Sequence, residues 1–236
     1  MKQHLYFGPP DKDHYICIGA LIGPSHILTA AHCVTGKAPD GLKVRLGESN
    51  VNHESNFYPR VEKDVVSVSI HPKYNRDKLN NDIAIVKFKG AIDFADNRHI
   101  APVCISERRQ EFASSRCWVT GWGRDASGAE GKYRNILKEL HVPVVGNADC
   151  ENNLRRTRFG HDFKLHSGFI CAGGKGKELC KDGVGGPLIC ERQESRAELV
   201  GLVNWDIGCV QDDVLRVYTK VSEFSDWIQH NTIHQS

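Results

Sequence analysis

Three segments of the chain carry residue types that could take part in acid–base or nucleophilic chemistry. His32 directly precedes Cys33, and Asp82 stands just before the apolar run 83–86. The third segment, residues 180–190, is rich in glycine and leads into a second apolar run. An imidazole can act as a general base, and a carboxylate can orient it. Taken singly, the three segments are equally compatible with a buried structural histidine, a turn aspartate and a tight surface turn.

The order of these segments resembles that of the chymotrypsin/trypsin serine protease family. The resemblance covers nearly the whole chain and includes residues 117–123 (CWVTGWG), 169–173 (FICAG), 203–205 (VNW), 217–221 (VYTKV) and 226–228 (DWI). In that family a histidine takes the proton of the nucleophile while an aspartate orients the imidazole. The resemblance assigns these two roles to His32 and Asp82.

The glycine-rich loop departs from the family pattern at the nucleophile. The family loop is Cys-x-Gly-Asp-Ser-Gly-Gly-Pro-Leu, and alignment without gaps from Cys180 or Pro187 places Val184 at the serine position. No Ser or Thr occurs between Ser167 and Ser195, so no neighbouring hydroxyl can replace it. Because loss of the nucleophile alone removes about 10⁶ in turnover number from a serine protease, we predict a pseudoenzyme.

Two further loop residues oppose catalysis. By the resemblance, Asp182 stands at the glycine whose N–H forms half of the oxyanion hole, so its carboxylate would face the developing negative charge. Gly183 replaces the aspartate that accepts the new α-amino group after activation cleavage. The resemblance therefore implies that both the oxyanion hole and the zymogen switch are altered.

The specificity pocket is predicted to be altered as well. Glu178 matches the residue at the pocket base, and Arg216 matches a wall position that is glycine in trypsin-like members. We predict that Arg216 fills the pocket by pairing with Glu178; in the alternative, both side chains turn outward to solvent. Asn204 and Asp206 flank Trp205 and replace the Ser and Gly beside the edge that binds substrate.

The elements that must position these residues are predominantly strands. Short apolar or alternating runs between turn residues predict about ten to twelve strands, and a stretch with Phe224, Trp227 and Ile228 on one face after Ser222 predicts a C-terminal helix capped by that serine. A second helix is expected over residues 148–156. The predicted fold is all-β, with two packed six-stranded antiparallel Greek-key barrels and a C-terminal α-helix. We expect one trypsin-like domain over residues 1–236.

Nine cysteines without metal-binding spacing favour a disulfide framework over reduced thiols, and hence a secreted protein. The resemblance implies four bridges: Cys17–Cys33, Cys117–Cys190, Cys150–Cys171 and Cys180–Cys209. Cys104 is left over. In relatives with an N-terminal regulatory chain, the matching cysteine bridges to that chain; a free buried thiol is the alternative.

Net charge and hydropathy argue against nucleic acid as a partner and against a membrane-spanning segment. The formal net charge is +2, which gives no reason to expect nucleic acid, and no apolar stretch is long enough to span a membrane. The opening segment, residues 9–13, lacks a signal-peptide core, so we interpret the N-terminus as truncated or processed. No oligomeric state is predicted.

Residues 44–48, 154–160 and 169–174 are similar to those of arthropod clip-domain serine proteases and their non-catalytic homologues. This similarity implies an extracellular binding or cofactor protein whose partners are proteases, zymogens or microbial surfaces, as in prophenoloxidase activation and other innate-immune cascades. The alternatives are a weak hydrolase that uses His32 and Asp82, and a decoy that binds protease substrates.

Two charged regions complete the sequence-based predictions. The cluster of Arg155, Arg156, Arg158 and Lys164, with His161 and His166 nearby, suits an acidic protein or a polysaccharide, unless it is only a solvated loop. Trypsin relatives bind calcium in the region of Glu48 and Glu62, but the oxygen ligands there follow no calcium pattern. We therefore assign no metal and no cofactor.

Overall fold

Strands make up most of the regular structure in the computed structural model, which describes residues 3–7, 14–48, 58–107, 112, 115–121, 137–173, 185–191, 197–206 and 215–233. Short helices interrupt the strands, and a nine-residue helix ends the described chain. The predicted all-β class with a C-terminal helix is confirmed.

The first half of the chain forms a closed antiparallel barrel. Its strands are β1 (Gln3–Phe7), β2 (His14–Leu21), β3 (His26–Thr29), β4 (Leu42–Leu46), β5 (Val61–Ile70) and β6 (Ala84–Phe88). They pair in the order β1-β2-β3-β6-β5-β4, and β1 closes the barrel against β4. Of these strands, β1 carries no clear alternating pattern and was not predicted.

The second half forms a seven-stranded sheet. Its strands are β7 (Cys104–Ile105), β8 (Arg116–Gly121), β9 (Lys138–Val145), β10 (Phe169–Gly173), β11 (Pro187–Glu191), β12 (Ala197–Asp206) and β13 (Leu215–Lys220). The order is β11-β8-β9-β10-β13-β12-β7, and β11 also pairs with β12. Six strands therefore form a closed circuit, and the two-residue β7 joins β12 in parallel.

The two halves share an apolar interface because β3 and β6 bury both of their faces. Successive residues of a strand point to opposite faces: Ile27 and Val86 lie in the core of the first barrel, whereas Leu28 and Ile85 lie in a separate buried cluster. That cluster also contains Leu199, Leu202, Val221, Phe224 and Ile228 from the second half and the C-terminal segment.

Three α-helices and two 3₁₀ turns lie among the described residues. The helices are α1 (Ala31–Val34), α2 (Asn147–Arg155) and α3 (Ser225–Ile233), and the 3₁₀ turns are Pro39–Gly41 and Val221–Phe224. The predicted cap at Ser222 is wrong, because Ser222 lies inside the second 3₁₀ turn and its buried Oγ has no hydrogen-bond partner. Within the described residues, no helix has both the length and the apolar character needed to cross a membrane.

Candidate functional site

The structure places His32 and Asp82 side by side at one end of the first barrel. His32 lies on α1, directly after β3, and Asp82 lies two residues before β6. Since β3 and β6 are paired neighbours, their adjacent ends bring the two side chains together. Nδ1 of His32 lies 2.5 Å from Oδ2 of Asp82, and the backbone N–H of His32 donates to Oδ1 at 2.8 Å. The carboxylate thus holds both the ring and the backbone of the histidine.

The two side chains differ sharply in burial. The Asp82 side chain is fully buried, whereas that of His32 is 27% exposed. Among the residues that the structure describes, none forms a hydrogen bond with Nε2 of His32. In a catalytic triad this nitrogen takes the proton of the nucleophile. The arrangement therefore presents an oriented base whose outer nitrogen has no described partner.

A second network connects Asp82 to the other half of the molecule. Thr219 of β13 donates from its hydroxyl to the backbone carbonyl of Asp82 at 3.0 Å. The side-chain amide of Asn204, on β12, donates to Oγ1 of Thr219 at 3.0 Å and to the carbonyl of Leu79 at 3.1 Å. These contacts fix the loop that carries Asp82 against the second sheet.

Asn204, Trp205, Asp206 and Arg216 lie on two adjacent strands. Asp206 of β12 pairs in register with Arg216 of β13, and Arg216 also pairs with Ala172 of β10. The Arg216 residue is half-buried. Glu178 lies outside the described residues, so the pairing of Arg216 with Glu178 stays a prediction.

Gly185 anchors the loop that follows the predicted nucleophile position. Its φ is +74°, in the left-handed region that favours glycine. A Cβ atom here would lie 2.5 Å from the carbonyl oxygen of Ile18 and 3.3 Å from Sγ of Cys33, the neighbour of His32. The backbone at Gly185 therefore lies directly against β2 and against Cys33 of α1, the helix that carries the histidine.

The remaining loop residues of the predicted site lie outside the described residues. They are Asp182, Gly183 and Val184, together with the Cys180–Cys209 bridge. Val184 immediately precedes Gly185 in the sequence. Its place at the nucleophile position, and the effects assigned to Asp182 and Gly183, stay predictions.

Three disulfides lie within the described residues: Cys17–Cys33, Cys117–Cys190 and Cys150–Cys171. These are three of the pairings that the family resemblance implied. Cys104 is exposed, so the alternative of a buried thiol is wrong, and it forms no disulfide with a described residue.

Two groups of residues bear on metal binding. A ring nitrogen of His32 and the sulfur atoms of Cys17 and Cys33 lie within 4.8 Å of one another, but both sulfurs are oxidised in the disulfide and offer no thiolate. In the second group, the Glu48 side chain is 1% exposed and lies 3.3 Å from Nη1 of Arg60. Within the described residues, the first group therefore offers no thiolate ligand, and the Glu48 carboxylate faces a cation of the chain itself.

The Glu62 carboxylate is engaged by cations of the chain itself. It accepts hydrogen bonds from Nε of Arg45 at 2.7 Å and Nζ of Lys43 at 3.1 Å. Burial raises the pKa of Glu62, but the hydrogen bonds and charges of Arg45 and Lys43 outweigh it and leave the pKa below its ordinary value. The carboxylate is therefore held in its charged form without a metal ion.

Two features of the site were not found by sequence reasoning. The role of Thr219 was missed because nothing in the motif 217–221 indicates a contact with Asp82, which lies far away in the sequence. The ring cluster of Phe159, Phe163 and Trp205 was missed because Trp205 lies on a strand far along the sequence from the loop that carries the two phenylalanines. Only the aromatic composition of residues 159–169 offered a signal.

Comparisons with known proteins agree with this architecture. The trypsin family matches residues 4–228. Phenoloxidase-activating factor 2 of Galleria mellonella is 40% identical over 91% of this chain and 71% of its own length. Inactive CLIP domain-containing serine protease A3 of Aedes aegypti is 37% identical over 96% of this chain, which spans 48% of that protein. Inactive CLIP domain-containing serine protease A28 of Anopheles gambiae is 33% identical over 94% of this chain, which spans 57% of that protein. It therefore belongs to the trypsin family, and its relatives include insect clip-domain serine protease homologues.

Proposed function

We propose that this chain is a catalytically inactive serine protease homologue that acts by binding other proteins. The observation that carries the proposal is that alignment with the family motif assigns Val184 to the serine position in a chain that retains the His32–Asp82 pair. A base without a nucleophile has no hydroxyl to activate, and a valine side chain has no lone pair with which to attack a carbonyl carbon. Several relatives carry the word inactive in their names, which supports the same conclusion.

The predicted substitutions at Asp182 and Gly183 also argue against catalysis. A carboxylate at Asp182 disfavours an oxyanion, and Gly183 supplies no acceptor for a new α-amino group. Loss of the serine alone would leave the oxyanion hole and the zymogen switch intact, whereas Asp182 and Gly183 would impair both. The chain therefore retains the scaffold of a protease for a role other than cleavage.

We further propose an extracellular role as a cofactor in a protease cascade. Disulfide bonds persist in oxidising compartments such as the extracellular space, and three are present among the described residues. One relative is named as a phenoloxidase-activating factor, which supports prophenoloxidase activation as the first cascade to examine. The partners would be the zymogen or its activating protease.

Activity-based labelling tests the absence of catalysis. A fluorophosphonate probe, which reacts with activated serines, is expected to label the wild-type protein no more than a heat-denatured sample, while active trypsin in the same buffer is labelled fully. The Val184→Ser variant is also expected to stay inactive, because Asp182, Gly183 and Arg216 remain. Labelling of the wild type would contradict the proposal, whereas trypsin-like turnover by Val184→Ser would contradict only the effects assigned to Asp182, Gly183 and Arg216.

A reconstitution experiment tests the cofactor role. Prophenoloxidase and its activating protease are incubated with this protein, and the phenoloxidase activity that appears is measured. We expect the wild type and His32→Ala to raise this activity equally, because the effect does not require a catalytic base. No increase with either protein would contradict a role in this cascade without bearing on the loss of catalysis.

A residual hydrolase is the second candidate, and the intact 2.5 Å contact between His32 and Asp82 favours it. In that case His32 would activate water directly, and peptide cleavage would be slow but measurable. Cleavage measured by mass spectrometry should then vanish in His32→Ala. A rate equal to that of buffer for both proteins would exclude this candidate.

A further inference from the structure

A buried carboxylate lies where the chain leaves the first barrel after β4. Glu48 follows shortly after the end of that strand, and its side chain is 1% exposed. An ionised carboxylate that is removed from water is destabilising unless a counter-charge lies close to it. Because trypsin relatives bind calcium in this region, a metal ion is one source of that charge. The other source is a cation of the chain itself.

Arg60 supplies a counter-charge from the far end of the same loop. It lies twelve residues after Glu48 and immediately before β5, and its Nη1 donates to Oε1 of Glu48 at 3.3 Å. The Arg60 side chain is 47% exposed, so its guanidinium extends from the surface onto the buried carboxylate. The ion pair therefore connects the two ends of the loop between β4 and β5, of which residues 49–57 lie outside the described residues.

His99 contacts the same two loop ends. The ring of Tyr58 stacks on that of His99 with the centroids 4.9 Å apart, and Nε2 of His99 donates to the carbonyl of Pro59 at 3.0 Å. At the start of the loop, a Cβ atom at Gly47 would lie 2.9 Å from the same Nε2. The backbone that begins the loop therefore passes directly beside the ring that holds its end.

The second carboxylate in this region also contacts cations of the chain. Glu62 accepts hydrogen bonds from Arg45 and Lys43. A Ca²⁺ ion needs about 6–8 oxygen ligands at roughly 2.3–2.6 Å, and a guanidinium in contact with a carboxylate oxygen repels a divalent cation there. Among the described residues, Glu48 and Glu62 therefore do not fit a calcium ion.

We propose that Arg60 takes the place of a metal ion, so that the chain's own cations fasten the loop between β4 and β5 and the folded protein neither binds nor requires calcium. The inference is independent of the proposed loss of catalysis, because it concerns a loop of the first barrel. A bound ion stabilises the fold only while it is present in solution. Since the guanidinium belongs to the chain, chelation cannot remove it, and the two loop ends stay joined at any calcium concentration.

Calorimetry of the wild-type protein is the direct test. Because a ligand that binds only the folded state raises the melting temperature, we expect the melting temperatures in calcium chloride and in EDTA to agree within about 1 °C. Isothermal titration with calcium chloride should release no heat beyond that of dilution. A larger rise in melting temperature with calcium, or a saturable heat of binding, would overturn the proposal.

Charge reversal at Arg60 should create the calcium dependence that the wild type lacks. Arg60→Glu removes the guanidinium and adds a second carboxylate beside Glu48, and such oxygen ligands suit Ca²⁺. In EDTA this variant should melt below the wild type, because two carboxylates then face each other, and calcium should restore at least about half of the loss. Arg76→Glu is the matched control, since Arg76 is exposed in the loop between β5 and β6. Calcium should not change its melting temperature.

A second pair of variants decides the role of Arg60 even where Arg60→Glu does not fold. Arg60→Gln keeps a hydrogen-bond donor but loses the charge, so in EDTA it should melt at least about 3 °C below the wild type. Arg98→Gln changes an exposed arginine whose Nε donates to the Ala95 carbonyl, and it should melt within about 1 °C of the wild type. Equal melting temperatures for Arg60→Gln and Arg98→Gln would overturn the proposal.

Discussion

The side-chain amide of Asn204 donates a hydrogen bond to the backbone carbonyl of Leu79, across the boundary between the two halves of the fold, at 3.1 Å. Leu79 has a φ of +53°, which an L-residue with a bulky side chain rarely adopts. Such a conformation costs about 1–3 kcal/mol and persists only where the surroundings hold it in place. The hydrogen bond from Asn204 is one of the contacts that hold Leu79 in this conformation.

Replacement of Asn204 by alanine should destabilise the protein by about 1–3 kcal/mol, because the carbonyl of Leu79 then loses its described side-chain donor. The free energy of unfolding from urea titration measures the effect. Asn97→Ala is the control, since its amide donates to the Asp93 carbonyl in an exposed loop, and it should cost less than about 0.5 kcal/mol. Equal costs for the two variants would contradict a special role for Asn204.

Gly185→Ala should be more destabilising than Gly36→Ala. The two glycines have nearly the same φ, +74° and +76°, so the conformational strain of a side chain is matched. A Cβ at Gly185 would lie 2.5 Å from the Ile18 carbonyl, whereas a Cβ at Gly36 meets nothing within 4 Å. We expect Gly185→Ala to cost at least about 2 kcal/mol more than Gly36→Ala, as measured by thermal unfolding. Similar melting temperatures would show that the loop can move away from Ile18.

These contacts indicate which parts of the fold could be predicted from the sequence. Most strands were predicted because their side chains alternate or form short apolar runs. Strands β1, β7 and β10 were missed, since β1 carries no strong pattern, β7 has only two residues, and residues 169–173 were recognised only as a family motif. Ser222 resembled a helix cap, but tertiary packing draws it into a buried 3₁₀ turn.

The candidate site was predictable only in part. His32 and Asp82 were identified by their order along the chain and by the motifs around them. The contacts of Asn204 with Leu79 and Thr219 bring together residues far apart in the sequence, and no local pattern encodes such contacts. The same holds for the ring cluster of Phe159, Phe163 and Trp205, whose rings come from one loop and one distant strand.

Stability should fall as the pH drops below about 6.5, the ordinary histidine pKa. Burial lowers the pKa of His26 and His71 in the folded protein, and the nearby charges of Lys87 and Lys73 lower them further. The unfolded chain therefore binds more protons than the folded chain in this range. Stability is fully present above the unfolded pKa and is lost as the pH falls through the lower, folded pKa.

His71 provides the test of this pH dependence. Its ring centroid lies 5.1 Å from those of Phe224 and Trp227, and its Nδ1 accepts the N–H of Lys73 at 3.3 Å. His71→Phe keeps an aromatic ring but removes the titrating group, so the loss in melting temperature between pH 7.5 and pH 5 should shrink. His161→Gln, at a side chain that is 93% exposed, should leave that loss unchanged. An unaltered loss in His71→Phe would contradict the assignment.

Removal of the Arg216 side chain should open the predicted specificity pocket to small cations. If the guanidinium pairs with Glu178, Arg216→Gly leaves that carboxylate facing an open pocket, where it can accept two hydrogen bonds from an amidinium. We expect p-aminobenzamidine to bind Arg216→Gly at least tenfold more tightly than the wild type, as measured by its fluorescence.

Two further variants make this experiment specific. Glu178→Gln added to Arg216→Gly should abolish the gain, because the amide has no charge to pair with the amidinium. Arg116→Gly alters an arginine that also lies on a strand but is 74% exposed and contacts Glu191, so it should bind no more ligand than the wild type. If the wild type already binds p-aminobenzamidine as tightly as Arg216→Gly, the two charged side chains turn outward to solvent and the pocket is open.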